Sequence, residues 1–472
     1  MTNPAETSTH RVWRGARAGA LATAAIWLAA VMSAGAQPQP RPRPGPPPAP
    51  APGTPPAESP AAKSDDSKDQ KKDKKPPKPD RWFVVKGATV HTVSGPTLQG
   101  ATIVCKNGKI HEIGRQARIP EKAEVLDATG YHVYPGLVAV RSLTVIGGEP
   151  PEDTTDVYSL QSAAALAGGL TTLVTQNTAA KVTFGTVEDI SIRRNIFENV
   201  RFRANDPGGK RRLRAGFEKA RAYLRDLRDH EQEKSRNPDA KAPDDKDVKS
   251  GDAALALRLM KGETTALVEA DAMYDLIQIC ELAEEYGGKW VIRGATEAWT
   301  IAPRLARAGI ACIVTPRTRQ DPDPRLLRPN GGTIENAAIL HDHGVQVAII
   351  PSLPGVGFGG LGGRDLLQLN LEASFAVRGG LPEDFALRAI TLDAARILGI
   401  DARVGSIQEG KDADFVIADG DMLHYMTMAR WTVVNGQVMY DKQKDTLLAH
   451  IRPDGNPDPP PPDDVWPKRL GE

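Results

Sequence analysis

The chain has 472 residues, 60 of them Lys or Arg and 59 Asp or Glu, for a net charge of +1. That balance argues against a nucleic-acid binder, which carries a basic excess or stripe, and a hydrophobic fraction of 40% argues against a multispan membrane protein. Three cysteines are too few for a disulfide framework, while the length predicts one large domain of roughly 250 residues plus smaller parts.

Residues 1–36 read as a signal peptide. Arg11, Arg14 and Arg17 form a basic segment, an apolar run follows from Ala20 to Met32, and Ala34-Gly35-Ala36 supplies a cleavage site. The rival reading, a retained anchor, is disfavoured because the run falls short of the ~20 residues a spanning helix needs. Residues 37–80 are first Pro/Ala-rich and then Lys/Asp/Ser-rich, a linker that cannot bury apolar surface. Residues 446–472, with the run Pro459–Pro462, read as a Pro-rich tail. The expectation is a globular body on a tether, exported to the periplasm or cell envelope.

From Arg81 short strands begin, at Trp82–Val85, Thr89–Thr92 and Ala101–Cys105. Asn107-Gly108 is a two-residue hairpin signal, and a second, Asn435-Gly436, lies near the other end of the chain. Between them the rhythm changes to helix, glycine, strand. Predicted helices Asp156–Ala167, Met273–Tyr286, Ala298–Ala308 and Ile334–His343 each stop at glycine and are followed by strands at Leu170–Thr175, Lys289–Ile292, Ile310–Thr315 and Val345–Ile350. A further helix, Leu366–Arg378, closes at Gly379-Gly380. Glycine accepts the left-handed conformation that ends a helix. Repeated units of this kind predict an α/β fold, a TIM-like (β/α)8 barrel at about 138–400, with a small composite β-sandwich built from 81–137 and 401–445. The charged stretch 192–261 conceals at least one unit and a long helix near Lys210–Glu233, whose charges read as a solvated face.

The segments "GATVHTVSGPTLQGATIVCKNGKIHEIG" and "VLDATGYHVYPGLV", with "ALRAITLDAARILGIDARVGSIQEGKDADFVIADGD" and "VVNGQVMYD", resemble the opening and close of amidohydrolase-superfamily enzymes, nearest the imidazolonepropionase-like or dipeptidase-like subgroup. The resemblance runs from about Arg81 to Asp441. It implies a metal-dependent hydrolase acting on carbon–nitrogen bonds of amides, cyclic amides or peptides, with zinc or another divalent metal held at the barrel strand ends.

The residues that should hold the metal are replaced. Where the family reads PGLVDxHxH, this chain has Ala139 at the Asp position and Arg141 and Leu143 at the two His positions. The next His falls at Glu269, the following one at Gly294 after Arg293, and the catalytic Asp at Ser352. None of the nine histidines falls at the end of a predicted barrel strand; His341 and His343 form H-x-H, but in the last turn of a helix at the opposite end. Cys105, Cys280 and Cys312 read as small buried hydrophobes, there is no nucleophilic serine motif, and the glycine-rich loop Gly355–Gly363 lacks the G-K-[ST] of a phosphate loop.

No metal or other cofactor is therefore expected, and no catalytic residue is assigned. Arg141, Glu269 and Arg293 are expected to form an ion-pair cluster at the barrel mouth, the alternative being that one or both arginines simply point to solvent, with Asp271 and Ser352 beside the vestigial site. Three functions stay open: a catalytically silent binding or scaffold homologue holding a small anionic ligand, an active hydrolase rebuilt on Glu269, Asp271 and Glu297, or a structural envelope protein. A homodimer, or pairing with an active paralogue, fits the first. Nucleic acid is not expected as a partner, and a membrane only if the N-terminal segment is retained.

Overall fold

The computed structural model describes residues 80–202, 206–357 and 364–444. The expected signal peptide, nearly all of the expected linker, most of the glycine-rich loop and the expected tail lie outside the described residues. Among the described residues no helix is long and apolar enough to cross a membrane.

The two chain ends join in one sheet. Strands β1 (Trp82–His91), β2 (Thr97–Lys106), β3 (Lys109–Gly114), β4 (Glu124–Asp127) and β5 (His132–Pro135) come from the N-terminal side. Three strands close to the C-terminal end complete it, and the hydrogen-bonded path runs from them through β5 to β1, β2 and β3, with β4 paired to β1. What the sequence suggests as a sandwich is thus a continuous eight-stranded sheet. Its buried face alternates along the strands, with Phe83, Val85, Ile103 and Val133 packing against Phe415, Ile417 and Val433. Both Asn-Gly turns form with all four residues at positive φ, Asn107 at 52°, Gly108 at 82°, Asn435 at 51° and Gly436 at 63°. The turns also touch: a Cβ on Gly108 would come within 3.1 Å of the Asn435 carbonyl oxygen. Glycine is required there for contact as well as for conformation.

The middle of the chain supplies β6 (Leu137–Ser142), β7 (Leu170–Thr175), β8 (Thr178–Lys181), β9 (Ser191–Arg193), β10 (Phe197–Asn199), β11 (Thr265–Ala270), β12 (Lys289–Gly294), β13 (Ala311–Val314) and β14 (Val347–Ile349). β6 pairs with β7 in parallel, and β10 through β14 form a parallel run. The described residues therefore supply seven parallel strands in two hydrogen-bonded groups, where the sequence suggests eight. One apolar cluster nevertheless draws on all seven, through Val138, Val140, Val174, Phe197, Leu267, Val291, Ile313 and Ala348. This is the inward layering of a barrel interior. β8 and β9 are a finding against expectation: they continue antiparallel from β7 instead of forming a helical crossover.

Helices α1 (Pro151–Thr154), α2 (Leu160–Ala167), α3 (Pro207–Lys234), α4 (Gly251–Met260), α5 (Met273–Tyr286), α6 (Ala302–Arg307), α7 (Asn336–Asp342), α8 (Leu369–Arg378), α9 (Glu383–Ala389) and α10 (Leu392–Leu398) fill the connections. The predicted helix Ala298–Ala308 is split into a 3-10 turn, Ala298–Thr300, and α6. Pro303 stands in the first turn of α6, where its missing N–H is not needed. In the charged stretch, α3 is capped by Asp206 on the Gly209 N–H and buries Leu213, Gly216, Phe217 and Ala220. Phe217 stacks on Tyr286 at 4.6 Å, while Arg214 and Arg221 reach out to Glu281 and Glu285 at 3.3 and 3.0 Å. Most of its charges lie on a solvated face, as expected.

After α10 come β15 (Phe415–Ala418), β16 (Ala429–Val434) and β17 (Gln437–Asp441), the strands that complete the composite sheet.

Candidate functional site at the barrel mouth

Glu269 and Arg293 are register partners on adjacent strands β11 and β12, so their side chains leave the same end of the sheet on the same face. Arg293 Nε donates to Glu269 Oε1 at 2.9 Å, and Nη2 donates to the same oxygen. Arg141 arrives from β6. Its neighbour Val140 already faces the interior, so strict alternation would turn Arg141 outward; the register irregularity between Ala139 and Ser142 lets it reach the mouth instead. Its Nη1 lies 3.9 Å from Glu269 Oε1. The three residues expected to cluster are therefore brought together.

The charges are unequal in number. The hydrogen bond from Arg293 holds the Glu269 carboxyl below the usual range against a modest opposing effect of burial, and Arg141 adds to the lowering. Burial and the neighbouring Arg293 charge both depress Arg141. One carboxylate, with its side chain 65% exposed, thus serves two guanidinium groups. Beside them lies a cavity of about 280 Å³ lined by Arg141 and Arg293, with Gln176, Asn177 and Asn199 as polar wall and Val140, Val174, Phe197 and Leu267 as apolar floor. Asn177 is already committed, donating to the Phe197 carbonyl and accepting from its N–H, both at 2.8 Å. Gln176 sits at φ 48°, a conformation uncommon for a residue with a side chain, at the end of β7.

Two expected members are elsewhere. Asp271 accepts from Thr296 Oγ1 at 2.5 Å and from Thr296 N at 3.3 Å, fixing the loop after β12. Ser352 is exposed in the segment following β14 and does not line the cavity. Glu297 is buried and accepts from Met273 N at 2.8 Å, Gly331 N at 3.0 Å and Arg328 Nη1 at 2.9 Å. Burial pushes its carboxyl up, but those hydrogen bonds and Arg328 outweigh it. Asp271 and Glu297 are thus loop anchors, and the facing carboxylate pair needed for acid–base chemistry does not assemble from them.

The strand ends do not fit a divalent cation. A metal needs neutral imidazole or anionic donors, and the residues here are two permanently charged guanidiniums and one carboxylate already bonded to them. Among the described residues no group of three or more His, Cys, Asp or Glu side chains is placed to hold a metal ion. His341 lies in the last turn of α7 and His343 caps it. His91 and His132 meet in the composite sheet, Nε2 to Nδ1 at 2.9 Å, and burial lowers the His91 pKa to about 4. The three cysteines are buried, and burial pushes the Cys105 and Cys280 thiols up to about 12.

Sequence reasoning missed the polar wall formed by Gln176 and Asn199, since neither sits in a motif. It also missed a buried charge cluster around Lys181, Asp412 and Asp414, although the spacing Asp412-x-Asp414 was visible within "GKDADFV".

The Amidohydrolase family model matches residues 296–452. A curated relative, the amidohydrolase tasK of Hapsidospora irregularis, is 28% identical over 135 residues, which are 28% of this chain and 13% of that protein's length. A solved amidohydrolase from Thermotoga maritima MSB8 superposes with a TM-score of 0.60 over 76% of this chain and 100% of its own, at 22% identity. Motifs at both ends, strand order and these likenesses point the same way: residues 296–452 match the Amidohydrolase family model, and the described α/β fold is similar to that of the Thermotoga maritima amidohydrolase.

Proposed function

We propose that this protein is an exported, catalytically silent amidohydrolase homologue whose barrel mouth binds a small carboxylate-bearing ligand. The observation that carries the reading is the pairing of two arginines with one exposed glutamate at strand ends where the family's metal ligands are expected. A guanidinium presents a planar fork matched to a carboxylate. With Glu269 shared, the pair retains net positive charge next to a cavity that suits a ligand of a few heavy atoms. Export rests on the character of residues 1–36, and N-terminal sequencing of the mature protein is expected to begin at Gln37.

The competing reading, a hydrolase rebuilt on carboxylates, is weakened by the engagement of Asp271 and Glu297 in the loop after β12. The test is calorimetric titration with succinate, alongside a panel of amides and dipeptides. Saturable succinate binding, weakened about tenfold or more by Arg293→Ala, is expected, with amide turnover no faster than in buffer. Absence of binding in the wild type, or Arg293-independent binding, contradicts the proposal for the mouth. Turnover of any amide contradicts silence.

A further inference from the structure

Lys181 ends β8 and is fully buried where that strand meets the Asn435 turn. Its Nζ lies 2.8 Å from Asp412 Oδ2 and 2.9 Å from Asp414 Oδ2, and it donates to Asn435 Oδ1. Asp414 holds the same asparagine from the other side, Oδ1 accepting from Asn435 N at 2.7 Å.

The surrounding charges pair off. Lys109 lies 2.9 Å from Asp412; Arg403 lies 2.7 Å from Asp412 and 2.6 Å from Asp189. Asp189 also stands 3.9 Å from Lys181. Two cations, Lys109 and Arg403, thereby balance two anions, Asp412 and Asp189. Lys181 and Asp414 remain as one internal pair. Such a pair is either ammonium and carboxylate or, after one proton moves between them, amine and carboxylic acid. Burial disfavours the charged form, and it pushes the wholly buried Asp414 carboxyl up against the lowering effect of Lys181.

We propose that Lys181 and Asn435 become joined by an intramolecular isopeptide bond, with Asp414 as the proton-transfer group. In the amine-and-acid form of the pair, the geometry sets a nucleophile against a carboxamide electrophile with a general acid beside them. The neutral Nζ attacks Asn435 Cγ while the Asp414 acid donates to Oδ1 and stabilises the developing negative charge. The new Nζ–Cγ bond forms and the Cγ–Nδ2 bond breaks. One Nζ proton passes through Asp414 to Nδ2, and ammonia leaves. No oxidant, reductant or cofactor is required, and Asp414 ends as it began. The bond ties two positions 254 residues apart, fastening the β6–β9 sheet to the composite sheet.

Loss of ammonia alone does not identify the bond, because Asn435 precedes Gly436 and an Asn-Gly pair can lose ammonia by closing on its own backbone. The experiment is therefore peptide mapping by mass spectrometry of the full-length protein after digestion under denaturing conditions. The expected result is a branched peptide containing Lys181 and Asn435, one ammonia lighter than the two separate peptides, and absent from Asn435→Ala. Recovery of the wild-type peptides unlinked and unmodified overturns the proposal. So does ammonia loss confined to the Asn435 peptide while Lys181 stays unlinked. Both contrary outcomes are read on wild-type protein, so they do not depend on a variant folding.

Discussion

The molecule contains two charge clusters that differ in almost every physical respect. Around Lys181 the charges are buried and close to one another: Asp412 and Asp414 are 4% and 2% exposed, and the lysine donates to Asp412 and Asn435 and lies 2.9 Å from Asp414. Around Glu269 the charges are half exposed, uneven in number, and open onto a cavity. A buried charge that loses its partner is left without solvent, so the first cluster must be complete for the fold to stand. Water and salt screen the second, so its charges contribute little to stability and remain available to a ligand. One cluster joins sheets; the other opens onto a cavity at the strand ends.

The sharpest way to break this contrast is to remove Asp412. Asp412→Ala leaves Lys109 and Arg403 without the buried anion they share, and a loss of about 3–5 kcal/mol in urea unfolding is expected. A loss no larger than that of a surface pair would erase the distinction. Acid is the gentler version of the same test. Lys181, Lys109 and Arg403 bring the Asp412 carboxyl down to about 2, even though burial opposes them. A depressed carboxylate contributes stability above its unfolded pKa and loses it as pH falls through the folded value. About 2 kcal/mol should therefore disappear between roughly pH 4 and pH 2, a drop reduced in Asp412→Asn. Asp414, raised by burial, acts with the opposite sign: its contribution is present at low pH and lost as pH rises through its folded pKa.

His91 extends the comparison to a partly buried group. Burial, with the His132 ring beside it, lowers its pKa to about 4, so it must charge in acid at a cost to the folded state. Its contribution is present above the unfolded histidine pKa and is lost as pH falls from about 6.5 to 4, by about 1 kcal/mol after allowance for partial exposure. Proton NMR titration of the ring gives the midpoint directly, and His91→Phe, which keeps the stack on Tyr134 at 4.2 Å, should remove the pH step. The smallest effect belongs to the mouth. Glu269→Gln should change stability by less than about 1 kcal/mol while tightening succinate binding, and the gain should shrink with added salt. A large stability loss there would make the mouth a structural cluster like the other.

Much of the fold was legible because local chemistry dictates it. Asn107-Gly108 and Asn435-Gly436 each demand a two-residue turn, and Gly287 and Gly309 stop helices where strands must start. The β8–β9 hairpin was not legible, since its residues pair with β7 only once the barrel has placed that edge. At the site, Arg141, Glu269 and Arg293 were legible from their positions in strand motifs. Asp271 misled because its partner is set by a backbone turn: Ala295, at φ 50°, brings Thr296 back onto the carboxylate. The polar wall was invisible because Gln176 and Asn199 come from separate hydrogen-bonded groups of strands, brought together where Asn177 bonds across to Phe197.

The central claim is that this barrel mouth is a site for an anion and not for a metal. The measurement that tests it most directly is metal content of the full-length protein, purified without chelator and then offered zinc, manganese and magnesium. The account predicts less than about 0.1 metal per chain, because guanidiniums stand where imidazole donors are needed. One or two tightly held metals per chain, lost when Glu269 is replaced, would contradict it.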